Sequence, residues 1–167
     1  ERDICRQYPA LQAPCLPESI HFIHSQDLED QYPDLAPKER ENEICKKYGA
    51  VFVIGIGNPL ESGIKHDDRA SDYDDWVSDN GEGRQGLNGD ILVWNPVIDQ
   101  AFELSSMGIR VNAESLLRQL ELKDEMHKKT WPYQQKLLSG GLPQTIGGGI
   151  GQSRICMLLL RKVHVGE

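Results

Sequence analysis

The sequence predicts an α+β domain built on a largely antiparallel sheet, and three observations predict it. Ala50–Ile56, Gly89–Asn95 and Ala101–Val111 are apolar runs of strand length, the last two joined only by a short turn after Pro96. Helix signals lie outside this group: Pro37 opens a polar, periodic stretch closed by Gly49, and Asn112 precedes Leu116, Leu117 and Leu120. Finally, a glycine cluster at Gly147–Gly151 leads into the unbroken apolar run Ile155–Leu160, a turn from strand to helix. Adjacent strands with helices on either side, and no internal repeat, favour α+β over an alternating architecture.

The elements follow in order. Residues 1–17 carry three prolines and little period, and the abrupt opening on Glu1 is expected to be internal to a longer chain. Ser19–His24 reads as a strand with Ile20, Phe22 and His24 on one face. Ser25 is expected to cap a short helix running to Gln31, and Pro37 to start a second one ending at Tyr48. Ala50–Ile56 is continuously apolar, as a central strand covered on both faces would be. The stretch Lys65–Gly86 then gathers Asp67, Asp68, Asp72, Asp74, Asp75, Asp79 and Glu82, and is too acidic to bury without partners. Within it His66 is expected to belong to a flexible loop, whereas His21, His24, Trp76, Trp94 and Trp131 are expected to pack.

Ala101–Val111 contains Glu103 and Arg110, an odd number of residues apart, which an unbroken strand sends to opposite faces. A bulge near Ser105, Ser106 and Gly108 would bring them together. Asn112 caps Ala113–Leu122, and Thr130 with Pro132 opens a further helix closed by Gly140–Gly141. The run Ile155–Leu160 is expected to be a buried helix with Arg154 on its first turns.

Composition narrows the function. A formal net charge of −8 argues against nucleic acid as a partner, because phosphate backbones require a surplus of Lys and Arg. No apolar run approaches the ~20 residues that span a bilayer. Cys5, Cys15, Cys45 and Cys156 show no metal or redox spacing and read as reduced cytosolic thiols. The glycine cluster is neither a Walker loop, which needs Gly-Lys-Ser/Thr, nor G-x-G-x-x-G. Asp90 opens one strand, Glu103 lies in the next, and Arg154 follows the glycine turn. Two carboxylates on neighbouring strands, a backbone bare of Cβ atoms and a guanidinium suit a magnesium–nucleotide site. Arg110 adds a second cation.

The spacing Gly147-x-Gly149-x-Gly151-x-x-Arg154 resembles motif 3 of the class II aminoacyl-tRNA synthetases. Ile20–Gln26, Arg69–Trp76, Gly86–Pro96, Phe102–Val111 and Pro143–Arg154 together resemble ammonia-dependent asparagine synthetases, the aspartate–ammonia ligases, over roughly residues 16–166. The resemblance implies the C-terminal half of a class II synthetase-like catalytic fold, a mostly antiparallel sheet flanked by helices, with residues 1–167 as one catalytic domain. It implies a cytoplasmic ligase that makes asparagine from L-aspartate, ATP and ammonia through a β-aspartyl-adenylate, with Mg²⁺. Asp90 and Glu103 match the carboxylates on the metal and ATP side, and Arg154 matches the arginine that lies on adenine and triphosphate. Tyr73 and Asp74 match residues of the aspartate and adenylate pocket, Ser106 and Arg110 positions near substrate and phosphate, and Gly147–Gly151 the backbone beside adenine. Asp74 or Asp75 is a candidate base for ammonium. The segment carrying motifs 1 and 2 in that family, and with it the homodimer contact, is absent from these residues, so the isolated chain is expected not to turn over. No cysteine has a glutaminase context, so ammonia rather than glutamine is the expected nitrogen source. The alternatives are the catalytic domain of an aspartyl- or asparaginyl-tRNA synthetase, and a silent fragment that binds a partner through the same fold.

Overall fold

The computed structural model describes residues 1–11 and 14–167. Among the described residues, six α-helices and five strands run in the order α1 (Arg2–Gln7), β1 (His21–His24), α2 (Ser25–Gln31), α3 (Pro37–Tyr48), β2 (Ala50–Ile54), β3 (Asn88–Asn95), β4 (Gln100–Ile109), α4 (Ala113–Leu122), α5 (Pro132–Leu138), β5 (Ile146–Ile150) and α6 (Gln152–Leu160). The strands form one sheet in chain order, β1 to β5. Only the β1–β2 pair is parallel; the other three are antiparallel, as the strand adjacency predicted.

Register sets which side chains share a face, because residues directly opposite one another point the same way. Ile23, Val51, Val53, Leu92 and Asp90 share the front face, through the pairs Ile23–Val53, Val51–Leu92 and Val53–Asp90. Helices α2 and α3 cover its lower part: Leu28, Ile44 and Cys45 pack on Ile23, Val51, Val53 and Leu92. Helix α3 starts at Pro37 with the Glu39 carboxylate accepting from the Ala36 N–H at 2.8 Å, and ends at Gly49 with φ 77°. Its inward side also carries charge. Arg40 donates to Glu29 at 2.8 Å, with both side chains buried.

The back face is covered less. Ala50, Val93 and Leu158 of α6 make a smaller cluster edged by Ile91, Phe102 and Leu104. Beyond it an open apolar hollow of about 710 Å³ lies between Phe52, Ile54, Met107, Ile109, Ile146 and Ile150. Thus β2 is internal as expected, but Phe52 and Ile54 are only half-buried, so the strand is not covered on both faces. Helix α6 departs from expectation for the same reason: only Leu158 is buried, because the helix rests its inner edge on a sheet whose upper back face is bare.

Four further expectations are corrected. His24, not Ser25, caps α2: its Nδ1 accepts from the Gln26 N–H at 3.1 Å, which frees the Ser25 hydroxyl to donate to the Gly55 carbonyl at 2.6 Å. On α4 the buried edge is Leu116, Gln119 and Leu120, with Leu117 half-exposed, since Gln119 is drawn in by backbone groups of the acidic stretch. His66 sits in no flexible loop; it is buried against Glu41 of α3 at 3.0 Å. Trp76 is buried, whereas Trp131 is 47 % exposed at the start of α5. All four cysteines are free. Among the described residues no helix is long and apolar enough to cross a membrane.

Candidate functional site

The upper front face carries the predicted residues together, and a bulge is the reason. The β3–β4 register runs Asp90–Ser106 and Ile91–Ser105, then jumps to Leu92–Glu103, leaving Leu104 as the extra residue. The bulge falls one residue before the expected window, with the expected consequence. Glu103 shares a face with Leu92 and Ser106 with Asp90, so both acids and Ser106 point forward. On the next strand Gly149 lies opposite Ser106 and Gly147 opposite Gly108.

The glycines have distinct uses. A Cβ on Gly108 would lie 2.9 Å from the Asp74 carboxyl carbon, and one on Gly147 2.6 Å from Arg110 Nη2. This bare pair lets the Asp74–Arg110 ion pair lie flat on the sheet. A Cβ on Gly149 would meet nothing within 4 Å, so the strand offers open backbone beside Ser106. Gly151 caps α6 and receives the stem of Arg154, whose Cβ and Cδ lie 3.3 Å from where its own Cβ would stand.

Each charged group has a partner. Arg154 lies 3.2 Å from the Glu103 carboxylate, donates to the Glu103 carbonyl at 3.0 Å, and sits 5.9 Å above the Phe102 ring. The Arg110 guanidinium lies 3.8 Å over the Tyr73 ring, which is 57 % exposed. Asp90 is buried; its Oδ2 accepts from Arg69, while its Oδ1 has no partner. Burial pushes the Asp74 carboxyl above the usual aspartate range; Arg110 and Arg69 counter that push, and Asp90 adds to it.

The loop that carries Asp74 is held from behind. Gln119 donates to the Ser71 and Asp74 carbonyls at 2.9 and 3.1 Å and accepts from the Trp76 N–H at 2.8 Å. Asp75 is spent on structure: it accepts from Val77 N, Ser78 N and Ser78 Oγ. The Asp75 carboxylate is thus tied to its own turn, whereas Asp74 faces Arg110 across the sheet. The acidic stretch is only partly compensated: Lys123 and Lys65 hold the exposed Asp68 carboxyl down at about 2, while Nδ1 of buried His66 has no partner.

Sequence reasoning missed Arg69 and Gln119. Arg69 and Arg84 are the two guanidinium groups in the acidic stretch, a signal that a paired carboxylate lies near each. Gln119 gave no signal beyond its place on the apolar edge of a helix.

A family model described as aspartate–ammonia ligase matches residues 1–167. The chain belongs to the aspartate–ammonia ligase family. It is 57 % identical over 164 residues to an aspartate–ammonia ligase of Parabacteroides distasonis, covering 98 % of this chain and 47 % of that relative. It is 58 % identical to one of Clostridium perfringens strain SM101, covering 98 % and 46 %. The chain thus spans about half the length of the curated relatives it matches. Among solved structures it is similar to the asparaginyl-tRNA synthetase of Entamoeba histolytica, with a TM-score of 0.64 and 14 % identity over 98 % of this chain and 37 % of that one. It is also similar to that of Pyrococcus horikoshii complexed with asparaginyl-adenylate, with a TM-score of 0.61 and 18 % identity over 89 % and 33 %. The fold is that of the class II aminoacyl-tRNA synthetases.

Proposed function

We propose that this chain is the part of an aspartate–ammonia ligase that holds ATP and aspartate during β-carboxyl adenylation. The observation that carries the reading is the shared front face, where Asp90, Glu103 and Ser106 lie beside an open Gly149 and between two arginines, Arg110 and Arg154. A carboxylate attacking an α-phosphorus meets anion–anion repulsion, and fixed cations aimed at the developing charge lower that barrier. Arg154 on its glycine turn lies against adenine and phosphate, with open backbone at Gly149 for the ring. Arg110, steadied over Tyr73, meets a substrate carboxylate, and Asp74 takes the substrate ammonium or a proton from ammonium. Its raised pKa suits the second role.

A magnesium ion fits these residues. The Oδ1 of buried Asp90 has no hydrogen-bond partner and so has lone pairs to offer a cation, and Glu103 stands one step along the same face. Among the described residues no three His, Cys, Asp or Glu side chains converge, so phosphate oxygens and water would complete the shell. Bound there, Mg²⁺ would neutralise phosphate charge and steady the leaving pyrophosphate.

The reaction balances as aspartate and ATP giving β-aspartyl-adenylate and pyrophosphate, then ammonia displacing AMP to leave asparagine. A cytosolic homodimer formed through the relatives' other half belongs to the same reading. The 167 residues alone are expected not to turn over; supplied with the remaining half of a relative, they should. The test is isotopic: aspartate labelled with oxygen-18 in its β-carboxyl should pass one label into AMP. Label in inorganic phosphate with release of ADP would overturn the adenylate. A requirement for tRNA would favour a synthetase, against which the net charge of −8 already argues. Failure to bind nucleotide once reunited would favour a silent binding module.

A further inference from the structure

Arg69 stands where a cation would be expected to compete. Its Nη1 donates to Asp67 Oδ2 at 2.8 Å and to the Asp68 carbonyl at 3.0 Å, and its Nη2 donates to Asp90 Oδ2. Lys123 fixes the backbone beneath, donating to the Arg69 carbonyl and to Asp68 Oδ2, each at 2.8 Å. The guanidinium is therefore clamped on one side and, on the other, covers one oxygen of Asp90 while the second stays buried and partnerless. The Arg69 side chain is 18 % exposed and the Asp90 side chain 7 %, so their interaction is little screened.

We infer that Arg69 is a positioning residue that makes cation binding conditional on nucleotide. This rests on the reading of Asp90 as a metal-side carboxylate. With the pocket empty, Arg69 supplies the positive charge that Asp90 requires and leaves too little negative charge to attract a divalent ion alone. Glu103 is likewise compensated, by Arg154. A cation arriving with a triphosphate brings its own anions. Asp90 would offer that cation its partnerless Oδ1 and loosen its hold on Arg69, whose freed N–H groups would then be available to phosphate oxygens. The planar fork suits this exchange, since it can hold Asp67 with one edge and phosphate with the other. Such a device excludes the stray cation that would otherwise occupy buried Asp90 and its half-exposed neighbour Glu103.

The experiment uses Mn²⁺, followed by electron paramagnetic resonance of the free ion, with and without α,β-methylene-ATP, on the chain joined by the complementary half of a relative. The unmodified chain should bind Mn²⁺ weakly alone and more tightly with the nucleotide analogue. Arg69→Met should shift the two in opposite directions. Mn²⁺ alone should bind roughly 5-fold tighter as a competing charge is lost. The ternary complex should be roughly 10-fold weaker as a charged hydrogen bond is lost. Arg69→Lys should restore the order of the unmodified chain. Parallel shifts, or none, overturn the inference while leaving the metal site intact. Asp90→Asn separates the two levels. If the unmodified chain binds no Mn²⁺ with the analogue, or Asp90→Asn binds it unchanged, the metal assignment fails and the inference with it. A measurement without substitution guards against misfolding: the Arg69 Nε–H resonance should move only when Mg²⁺ and analogue are both present. Movement with Mg²⁺ alone refutes the conditional binding.

Discussion

Gly108→Ala should cost stability and substrate binding together. The added Cβ would stand 2.9 Å from the Asp74 carboxyl carbon, 2.9 Å from its Oδ1 and 2.9 Å from Asn88 Cβ. Carbon atoms in a packed interior rest about 3.5–4.0 Å apart, so at least one neighbour must retreat by more than half an ångström. Asn88 is pinned by bonds to the Ile56 carbonyl at 2.7 Å and the Ile56 N–H at 3.2 Å, and Asp75 next to Asp74 is pinned by its own turn. The Asp74 side chain therefore gives way and the Asp74–Arg110 pair opens. Overpacking of this kind costs about 1–3 kcal/mol. With a urea dependence of about 2 kcal/mol per molar, the unfolding midpoint falls by roughly 1 M. The control is Gly149→Ala on the same face, where the Cβ meets no atom. It should be neutral or gain up to about 1 kcal/mol from the stiffer backbone, yet lose nucleotide affinity because it fills the open strip. Urea titration followed by circular dichroism and calorimetric titration with L-aspartate and ATP read both effects. Gly108→Ala as stable as the parent, or Gly149→Ala destabilised as much, would refute the claim that this glycine pair exists to seat Asp74 and Arg110.

Other outcomes follow from the same geometry. Arg40→Ala leaves Glu29 buried without its cation and should lower unfolding free energy by about 3–5 kcal/mol in denaturant titration. Glu29 is pushed up by burial but pulled further down by Ser62, Arg40 and Gln26, so its folded pKa lies below the usual value. Its contribution to stability is complete above about pH 4.3 and is lost as pH falls through the folded value, which melting between pH 6 and 3 should show. Arg154→Ala should leave the melting temperature unchanged, since the side chain is 46 % exposed, while weakening ATP roughly 10-fold or more by calorimetry. Cys45, pushed up to about 12 by burial with Glu41 adding to it, should resist a thiol reagent until the chain unfolds, whereas exposed Cys156 should react at once.

Much of this site was legible in the residues. The glycine cluster reads as a turn, but Gly147–Gly149 belong to strand β5, paired along β4, and only Gly151 makes the junction into the helix that carries Arg154. The odd spacing of Glu103 and Arg110 demanded a bulge, because two polar groups on opposite faces of a strand leave one without an outlet. What was not legible depends on distant pairing. The bulge sits at Leu104 because the β3 register requires it, and no local residue marks that place. Arg69 finds Asp90 across 21 residues, and His66 finds Glu41 across 25, contacts that only the closed loop creates. Helix α6 looked buried because its apolar run is continuous, but continuity records what the helix can bury and not what stands above it. The bare back face around Ile146 and Ile150, 79 % and 65 % exposed, had no counterpart in the sequence reading for the same reason.

The most direct test of the nucleotide site is a crystal structure of this chain, joined by the complementary half of a relative, with Mn²⁺ and α,β-methylene-ATP. The account predicts an anomalous peak within coordination distance of Asp90 Oδ1, phosphates between Arg69 and Arg154, and adenine over Gly149. Nucleotide lodged instead in the apolar hollow between Phe52 and Ile146 on the opposite face would contradict it.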